Sequence, residues 1–156
     1  MGTMTQIKPM MLVETECWTT RVRDNQKVRY SDNVYGIVMD VYDDGPQYQG
    51  SLGIFCNQFF NSEYIVNILI EDASEIAGHI MLYETITEIN ESAHYQIEDI
   101  KSWFQSQNIK TSTLEDLIDH CNKLVTLANY HKKTAVNLMP PNVREKILNQ
   151  CSWLKS

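Results

Sequence analysis

The chain has 156 residues, of which 43% are hydrophobic and 21% are charged, and its formal net charge is −7. This length predicts one domain, and the composition is typical of a folded globular protein and excludes intrinsic disorder as the main state. No apolar run approaches the ~20 residues of a membrane span, so we predict no membrane contact.

The N-terminal apolar run at 9–13 is too short for the core of a signal peptide. We therefore predict a cytoplasmic protein. In that compartment Cys17, Cys56, Cys121 and Cys151 are expected to be reduced thiols, because none of them has the spacing of a zinc site or of a disulfide framework.

Acidic residues dominate one long stretch of the chain. Residues 31–100 contain no lysine and no arginine, and we call this stretch the acidic window. Its thirteen carboxylates are Asp32, Asp40, Asp43, Asp44, Glu63, Glu71, Asp72, Glu75, Glu84, Glu88, Glu91, Glu98 and Asp99. A field of one sign attracts cations and repels phosphates, so the window favours a basic partner and disfavours nucleic acid.

The first half of the chain has the residue composition that is typical of strands. Its apolar runs are short, rich in Val, Ile, Tyr, Phe and Thr, and separated by turn residues. Strands are expected at 10–20, 34–42, 51–60 and 64–70. The polar segment 21–33 is expected to be a loop or a frayed edge, and Asp-Asp-Gly-Pro at 43–46 predicts a turn. The last three runs are joined too closely for parallel crossovers, which predicts an antiparallel meander.

The segment after residue 70 mixes two patterns. Asp72 and Glu75 are spaced as in a capping box, which predicts a helical turn at 72–77. The alternating Thr-Ile-Thr at 85–87 predicts a fifth strand at 79–89. A helix through residue 84 is the alternative.

Beyond residue 90 the apolar residues recur at helical spacing. Ser92 is expected to cap a helix whose stripe is Tyr95, Ile97, Ile100, Trp103 and Phe104. Ser-Thr-Leu-Glu at 112–115 is a capping box ahead of a second stripe that ends at Ala128. Pro140 and Pro141 stop what precedes them, and Asn142 is expected to cap a last helix.

Strands followed by helices predict an α+β fold. We expect a mostly antiparallel sheet of about five strands in the N-terminal two-thirds, covered on one face by about three C-terminal helices. The whole chain, 1–156, is predicted to be a single domain, with 1–9 and 155–156 disordered.

No catalytic signature accompanies these elements. The sequence has no phosphate-binding loop, zinc motif, serine-hydrolase motif or calcium-loop ligand pattern, so we predict no catalytic residue, no metal site and no cofactor, and we favour a protein that is not an enzyme. The carboxylate pairs Glu14/Glu16 and Glu84/Glu88 are interpreted as part of a solvated sheet face.

The predicted partner-binding surface combines carboxylates with tyrosines. A tyrosine beside a carboxylate binds lysine and arginine through charge pairing and cation–π contact. The predicted partner-binding residues are Asp40, Tyr42, Asp43, Asp44 and Tyr48 around the first turn, with Glu84 and Glu88. The first hypothesis is therefore a small acidic interaction protein that binds a basic protein partner through its sheet face. An immunity or antitoxin protein that covers a basic nuclease toxin is its most concrete form.

Two alternatives stay open. In one, a small-molecule-binding or enzymatic α+β domain has a pocket between sheet and helices, lined by Trp18, Tyr95, Trp103 and Phe104. In the other, the chain is a homo-oligomer without a ligand, most simply a homodimer. A strand edge or the apolar helix face then pairs with its copy.

Overall fold

The computed structural model describes residues 6–42, 48–107 and 112–155, without the side chains at 18–21, 23, 28–31, 104, 112–114 and 117. Its strands and helices are β1 Leu12–Arg23, β2 Gln26–Tyr42, β3 Gln49–Gly53, β4 Gln58–Asn61, β5 Ile65–Ile70, α1 Ser74–Ser106, α2 Ser112–Leu138 and α3 Pro141–Gln150. Short 3-10 turns lie at Ser62–Tyr64 and Ser152–Leu154. The chain divides into two compact units: a sheet unit, up to residue 77 and from 139 onward, and a helical unit, 78–138. Because the chain divides into two units, the prediction that residues 1–156 form a single domain stays a prediction.

The sheet unit contains one antiparallel sheet of five strands in the order β4-β3-β2-β1-β5. Together with the three helices that follow, it confirms the predicted α+β fold class. The prediction that the run at 64–70 continues the meander is wrong. β5 pairs with β1, where Leu12 lies opposite Ile70, so β4 and β5 form opposite edges of the sheet.

The connection between β4 and β5 is too short for a flat sheet. The edge strands of a flat five-stranded sheet would lie about 19 Å apart, whereas the chain from Asn61 to Ile65 spans at most about 14 Å. The sheet therefore curls into a small, partly closed barrel, and the Thr15 hydroxyl of β1 donates a hydrogen bond to the Tyr64 carbonyl at 3.2 Å. The barrel core consists of Ile7, Met11, Val13, Val38, Leu52 and Phe60.

β1 and β2 form a long hairpin through the segment 21–33, so the prediction of a loop or a frayed edge there is wrong. Asp24 and Asn25 have φ angles of 55° and 63°, and the pairing of Arg23 with Gln26 closes a two-residue turn around them. Asp and Asn are among the residues that tolerate this left-handed backbone. The sequence misleads because a two-stranded ribbon lacks the polar–apolar alternation of a strand that has one buried face.

The predicted strand at 51–60 is also wrong, because it is two strands. β3 ends at Gly53 and β4 begins at Gln58. Between them Ile54 has a φ of 72°, a left-handed conformation that interrupts the extended backbone.

Gln150 of α3 forms hydrogen bonds with the backbone of β2 at Tyr35, beyond the point where β3 ends. The side-chain oxygen of Gln150 accepts a hydrogen bond from the Tyr35 N–H at 2.8 Å, and its amide nitrogen donates to the carbonyls of Tyr35 and Phe55 at 2.8 and 2.9 Å. A neighbouring strand would otherwise have to supply these partners.

α3 begins at Pro141 with Pro140 as its cap, so the expected cap at Asn142 is wrong. Proline suits the first helical position because the N–H that it lacks has no partner there.

α1 is one continuous helix of 33 residues, so the strand predicted at 79–89 and the separate helix from Ser92 are both wrong. The predicted start is sound, because the Asp72 carboxylate accepts a hydrogen bond from the Ser74 N–H at 3.0 Å. The β-branched residues at 85–87 belong to a longer pattern with a helical period, which outweighs their strand preference.

The helical unit consists of most of α1 together with α2, and α2 begins where the capping box at 112–115 predicts. The Nδ1 atoms of His79 and His131 lie 2.9 Å apart, so one imidazole donates a hydrogen bond to the other. The Lys132 ammonium lies 5.2 Å from the centre of the Tyr83 ring. Both contacts join α1 to α2. Within the described ranges, no helix has the length and apolar character needed to cross a bilayer.

Two glycines make a matched pair for testing the barrel. A Cβ at Gly50 would meet the carbonyl oxygen of Asp40 and lie 2.5 Å from the Phe60 ring, whereas a Cβ at Gly78 meets nothing within 4 Å. We expect Gly50→Ala to lower the unfolding free energy by about 1–3 kcal/mol through overpacking. Gly78→Ala, in α1, is expected to raise it by about 0.5–1 kcal/mol, because alanine is the better helix former. Urea denaturation measures both, and equal effects would contradict the close packing at Gly50.

Candidate partner-binding surface

A β-bulge in β2 sets which side chains face the solvent. The pairing with β3 shifts between Val38, opposite Leu52, and Asp40, opposite Ser51, so Met39 is an extra residue. Without the bulge, strand alternation would place Val38 and Asp40 on the same side. With it, Val41 joins Val38 against the barrel core and Asp40 is exposed to solvent.

The bulge creates a polar and aromatic outer face on β2, β3 and β4, which we call the meander face. Asp40, Ser51 and Phe59 lie side by side across the three strands, and Tyr42, Gln49 and Asn61 form the next row. Residues directly opposite each other share one face of a sheet. Phe59 is 80% exposed and Tyr42 49% exposed. The Ser51 hydroxyl donates a hydrogen bond to the Asp40 carboxylate at 3.2 Å, which orients it.

A groove runs along the edge of the meander face. It has a volume of about 320 Å³ and lies between Glu16 and Cys17 of β1 and the β4 residues Phe59 and Asn61, with Tyr64 at its end. Sequence reasoning did not identify Phe59. One feature of the sequence does indicate an exposed ring here. Phe59 and Phe60 are neighbours in a strand, so their side chains face opposite sides and only one of them reaches the core.

The meander face and its groove are anionic. Their charged members are Asp40 and Glu16, and Glu63 is the exposed residue next to Tyr64. None of the residues described above for either surface is a lysine, arginine or histidine. The basic residues at 21–29 lie toward the far end of the β1–β2 hairpin. The nearest of them, Arg29 opposite Thr20 and Arg21, lie three and four residues along β1 from Cys17, which is about 10–13 Å of strand from that end of the groove.

The structure brings some of the predicted partner-binding residues together on the meander face, and others lie elsewhere. Asp40 and Tyr42 lie together on the meander face, and Asp43 and Asp44 fall outside the described residues. Tyr48 is half-buried, packs against the barrel core and accepts a hydrogen bond from the Ile7 N–H at 2.9 Å. Its phenol therefore holds the N-terminal segment on the barrel.

Glu84 and Glu88 lie on α1, not on the sheet face where the sequence placed them. They are one helical turn apart in the helical unit. Partial desolvation, and secondarily the Glu88 carboxylate, raise the pKa of Glu84. The acidic window is thus shared between the two units: eight of its carboxylates belong to the sheet unit and five to the helical unit.

The predicted small-molecule pocket stays a prediction, because the structure places only two of the four aromatic side chains proposed to line it. The side chains of Trp18 and Phe104 fall outside the described residues, and Tyr95 and Trp103 are exposed on α1.

The described part of the chain carries four histidines and four cysteines, residue types that can bind a metal ion or act as nucleophiles. No three His, Cys, Asp or Glu side chains there are grouped so as to hold a metal ion. The four cysteines are free thiols, and burial raises the pKa of Cys56 to about 11, which makes that thiol a poor nucleophile.

Glu14 shows that one carboxylate of the sheet is structural. The predicted solvated pair Glu14/Glu16 is half wrong, because Glu14 is only 6% exposed while Glu16 is exposed. Asn67 on β5 and Asn33 on β2 each donate a hydrogen bond to the Glu14 carboxylate at 3.0 Å, and the Tyr35 hydroxyl donates at 3.3 Å. These bonds join β1 to both of its neighbours. The bond from Asn67 is the largest of the effects that lower the pKa of Glu14.

When the chain is compared with known proteins, it matches no protein-family model, no curated protein and no solved structure.

The Glu14 network predicts a pH-dependent loss of stability. We expect Glu14→Gln to lower the unfolding free energy at pH 7 by about 1–3 kcal/mol, because the amide cannot accept from all three donors. The lowered pKa stabilises the fold above the ordinary pKa of glutamate, and this contribution disappears as the pH falls through the folded-state value. The difference between parent and variant should therefore shrink between pH 6 and pH 3.

Urea denaturation across this pH range is the measurement, and Glu16→Gln is the control. The exposed Glu16 should change the unfolding free energy by less than about 0.5 kcal/mol. Equal losses in the two variants, or a difference that does not change with pH, would show that the Glu14 network contributes nothing specific.

Proposed function

We propose that this chain is an interaction protein that binds a basic segment of a protein partner on the meander face. The observation that carries the proposal is Phe59, an 80% exposed aromatic ring in one row with the Asp40 carboxylate. An arginine or lysine placed there packs on the ring and pairs with the carboxylate. Exposed aromatic residues of this kind are enriched where proteins bind each other.

The charge layout supports a basic partner over other classes. Asp40, Glu16 and Glu63 attract a cationic segment, and none of the described residues named in the two rows of the meander face or in its groove is a lysine or an arginine. Such complementarity increases the rate of encounter and disfavours acidic partners. The same charges repel phosphates, so nucleic acid is a poor ligand for this surface.

An immunity or antitoxin protein is the most specific form of this proposal. Its partner would be a nuclease toxin whose basic, phosphate-binding site is covered by the meander face. Because both ligands would occupy that site, excess duplex DNA should compete with this chain for the toxin. We place the complex in the cytoplasm, where the four free cysteines stay reduced.

A defined probe tests the general form of the proposal. We expect a fluorescein-labelled arginine–glycine repeat peptide to bind the full chain in a fluorescence anisotropy titration. A glutamate–glycine peptide of the same length should not bind. Since exposed charges are screened by salt, raising NaCl from about 50 to about 300 mM should weaken the binding several-fold.

A matched pair of variants locates the surface. Phe59→Ala should weaken binding about fivefold, because a cation–π contact at an exposed site contributes about 1 kcal/mol. Val66→Ala removes another exposed apolar side chain, on β5, that lines neither the meander face nor its groove, and should leave the affinity unchanged. Equal losses in both variants, or equal binding of the two peptides, would refute the proposal.

A further inference from the structure

β4 is an edge strand, and its free edge borders the groove of the meander face. Among the described residues it pairs with β3 on one side and with no strand on the other. The opposite wall of the groove is β1 at Glu16 and Cys17, just beyond Thr15, where the pairing of β1 with β5 ends. In the described part of the chain, the barrel is therefore open between β4 and this part of β1.

The register of the sheet determines which backbone groups of β4 point away from β3. The Ser62 N–H donates a hydrogen bond to the Tyr48 carbonyl at 2.9 Å, so these two residues form a bonded pair. Bonded and non-bonded pairs alternate along an antiparallel ladder. Phe60 therefore directs its N–H and C=O toward β3, whereas Phe59 and Asn61 direct theirs away from it.

Three of these outward groups can accept a new partner. The Asn61 carbonyl belongs to the 3-10 turn at Ser62–Tyr64, which Asn61 caps. The N–H and C=O of Phe59 and the N–H of Asn61 take part in none of the turn or loop hydrogen bonds between described residues. An edge of this kind is a template for a further strand, because that strand supplies the donors and acceptors that the edge lacks.

A strand added antiparallel to β4 would extend both rows of the meander face by one position. One of its residues would lie opposite Phe59, and the residue two positions along would lie opposite Asn61. Their side chains would share the meander face, with Cβ atoms about 4.5–5.5 Å from those of their β4 neighbours, so an arginine opposite Phe59 packs on its ring. The residues between them face the other side. The row geometry therefore fits a segment with a basic residue at every second position.

Charge favours a basic segment over a second copy of this chain at the same edge. Glu16 and Glu63 are exposed beside the groove, and Asp40 lies in the same row as Phe59. Pairing of β4 with the β4 of another copy would bring two such sets of carboxylates together, and like charges that face each other across an interface oppose binding. A cationic strand is attracted by the same carboxylates.

We infer that the basic segment of the partner binds as an antiparallel strand on the free edge of β4, with its basic residues at alternate positions. This inference rests on the proposed function and adds the conformation and the sequence pattern of the partner segment. Phe59 then contributes twice, because its ring contacts a cation while its N–H and C=O pair with the backbone of the same residue.

Backbone N-methylation of the arginine–glycine peptide tests the pairing without changing the protein. In the antiparallel pair, the arginine opposite Phe59 donates its N–H to the Phe59 carbonyl. Methylation of the arginine backbone nitrogens removes this donor and places methyl groups against the edge, so it should weaken binding about tenfold or more. Replacing each glycine by N-methylglycine instead puts the methyl groups on the edge that faces away from β4, and the affinity should be unchanged. The two peptides have the same charge, length and number of methyl groups, and fluorescence anisotropy measures both.

Amide hydrogen exchange of the full chain, followed by NMR, gives a second readout. The unmethylated peptide at saturation should slow the exchange of the Phe59 and Asn61 amides, since both then donate to the added strand. The peptide that is methylated at arginine should leave their exchange unchanged.

The outcomes separate this inference from the proposed function. If both methylated peptides bind as tightly as the unmethylated one, strand pairing is refuted while cation binding by the meander face stands. Equal losses of affinity in the two methylated peptides would also refute the pairing. If the unmethylated peptide does not bind at all, the proposed function fails and the inference fails with it. Protection of the Phe59 and Asn61 amides that increases with protein concentration, without peptide, would show that a second copy occupies the edge, and would overturn the inference as well.

Discussion

The bulge at Met39 is the constraint on which the candidate surface depends. The side chains of a strand alternate between its two faces. One extra residue in the strand therefore moves every later side chain to the opposite face. Val38 and Val41 both reach the barrel core because the bulge lies between them, and Asp40 is directed to the solvent by the same change. Gly53 leaves room for this arrangement, since a Cβ there would lie 2.8 Å from the Met39 side chain. One local irregularity thus places a carboxylate in the same row as an exposed aromatic ring, with Ser51 between them.

Carboxylates perform two opposite tasks in the sheet unit. Glu14 is buried, and its charge is satisfied by three donors from the neighbouring strands, so it stabilises the fold and is closed to a partner. Asp40 accepts a hydrogen bond from the Ser51 hydroxyl and stays exposed to solvent. Burial and hydrogen bonding separate the two roles, and residue type alone does not. The same distinction explains why a count of acids in the sequence overestimates the charge that is free to bind.

Much of the fold class could be predicted from the sequence, because strand-forming runs precede helical stripes along the chain. The errors share one cause, which is that a local pattern was read without its longer context. The β-branched residues at 85–87 suggested a strand, although Leu82, Ile86 and Ile89 already had helical spacing. The hairpin at 21–33 had no alternation to reveal it, and the pairing of β5 with β1 depends on the curl of the sheet, which no local pattern encodes.

The candidate surface was predictable only in part. Asp40 and Tyr42 were identified from charge and aromatic content, and a spacing of three between Val38 and Val41 in a strand was the one signal of the bulge that exposes them. Phe59 joins the row of Asp40 and Ser51 only through the register of three strands. The most direct test of a cation-binding meander face is an amide NMR titration of the full chain with the arginine–glycine peptide. The largest shifts are expected at Tyr42, Ser51 and Phe59, and shifts confined to β5 and α3 would contradict the assignment of this face as the binding surface.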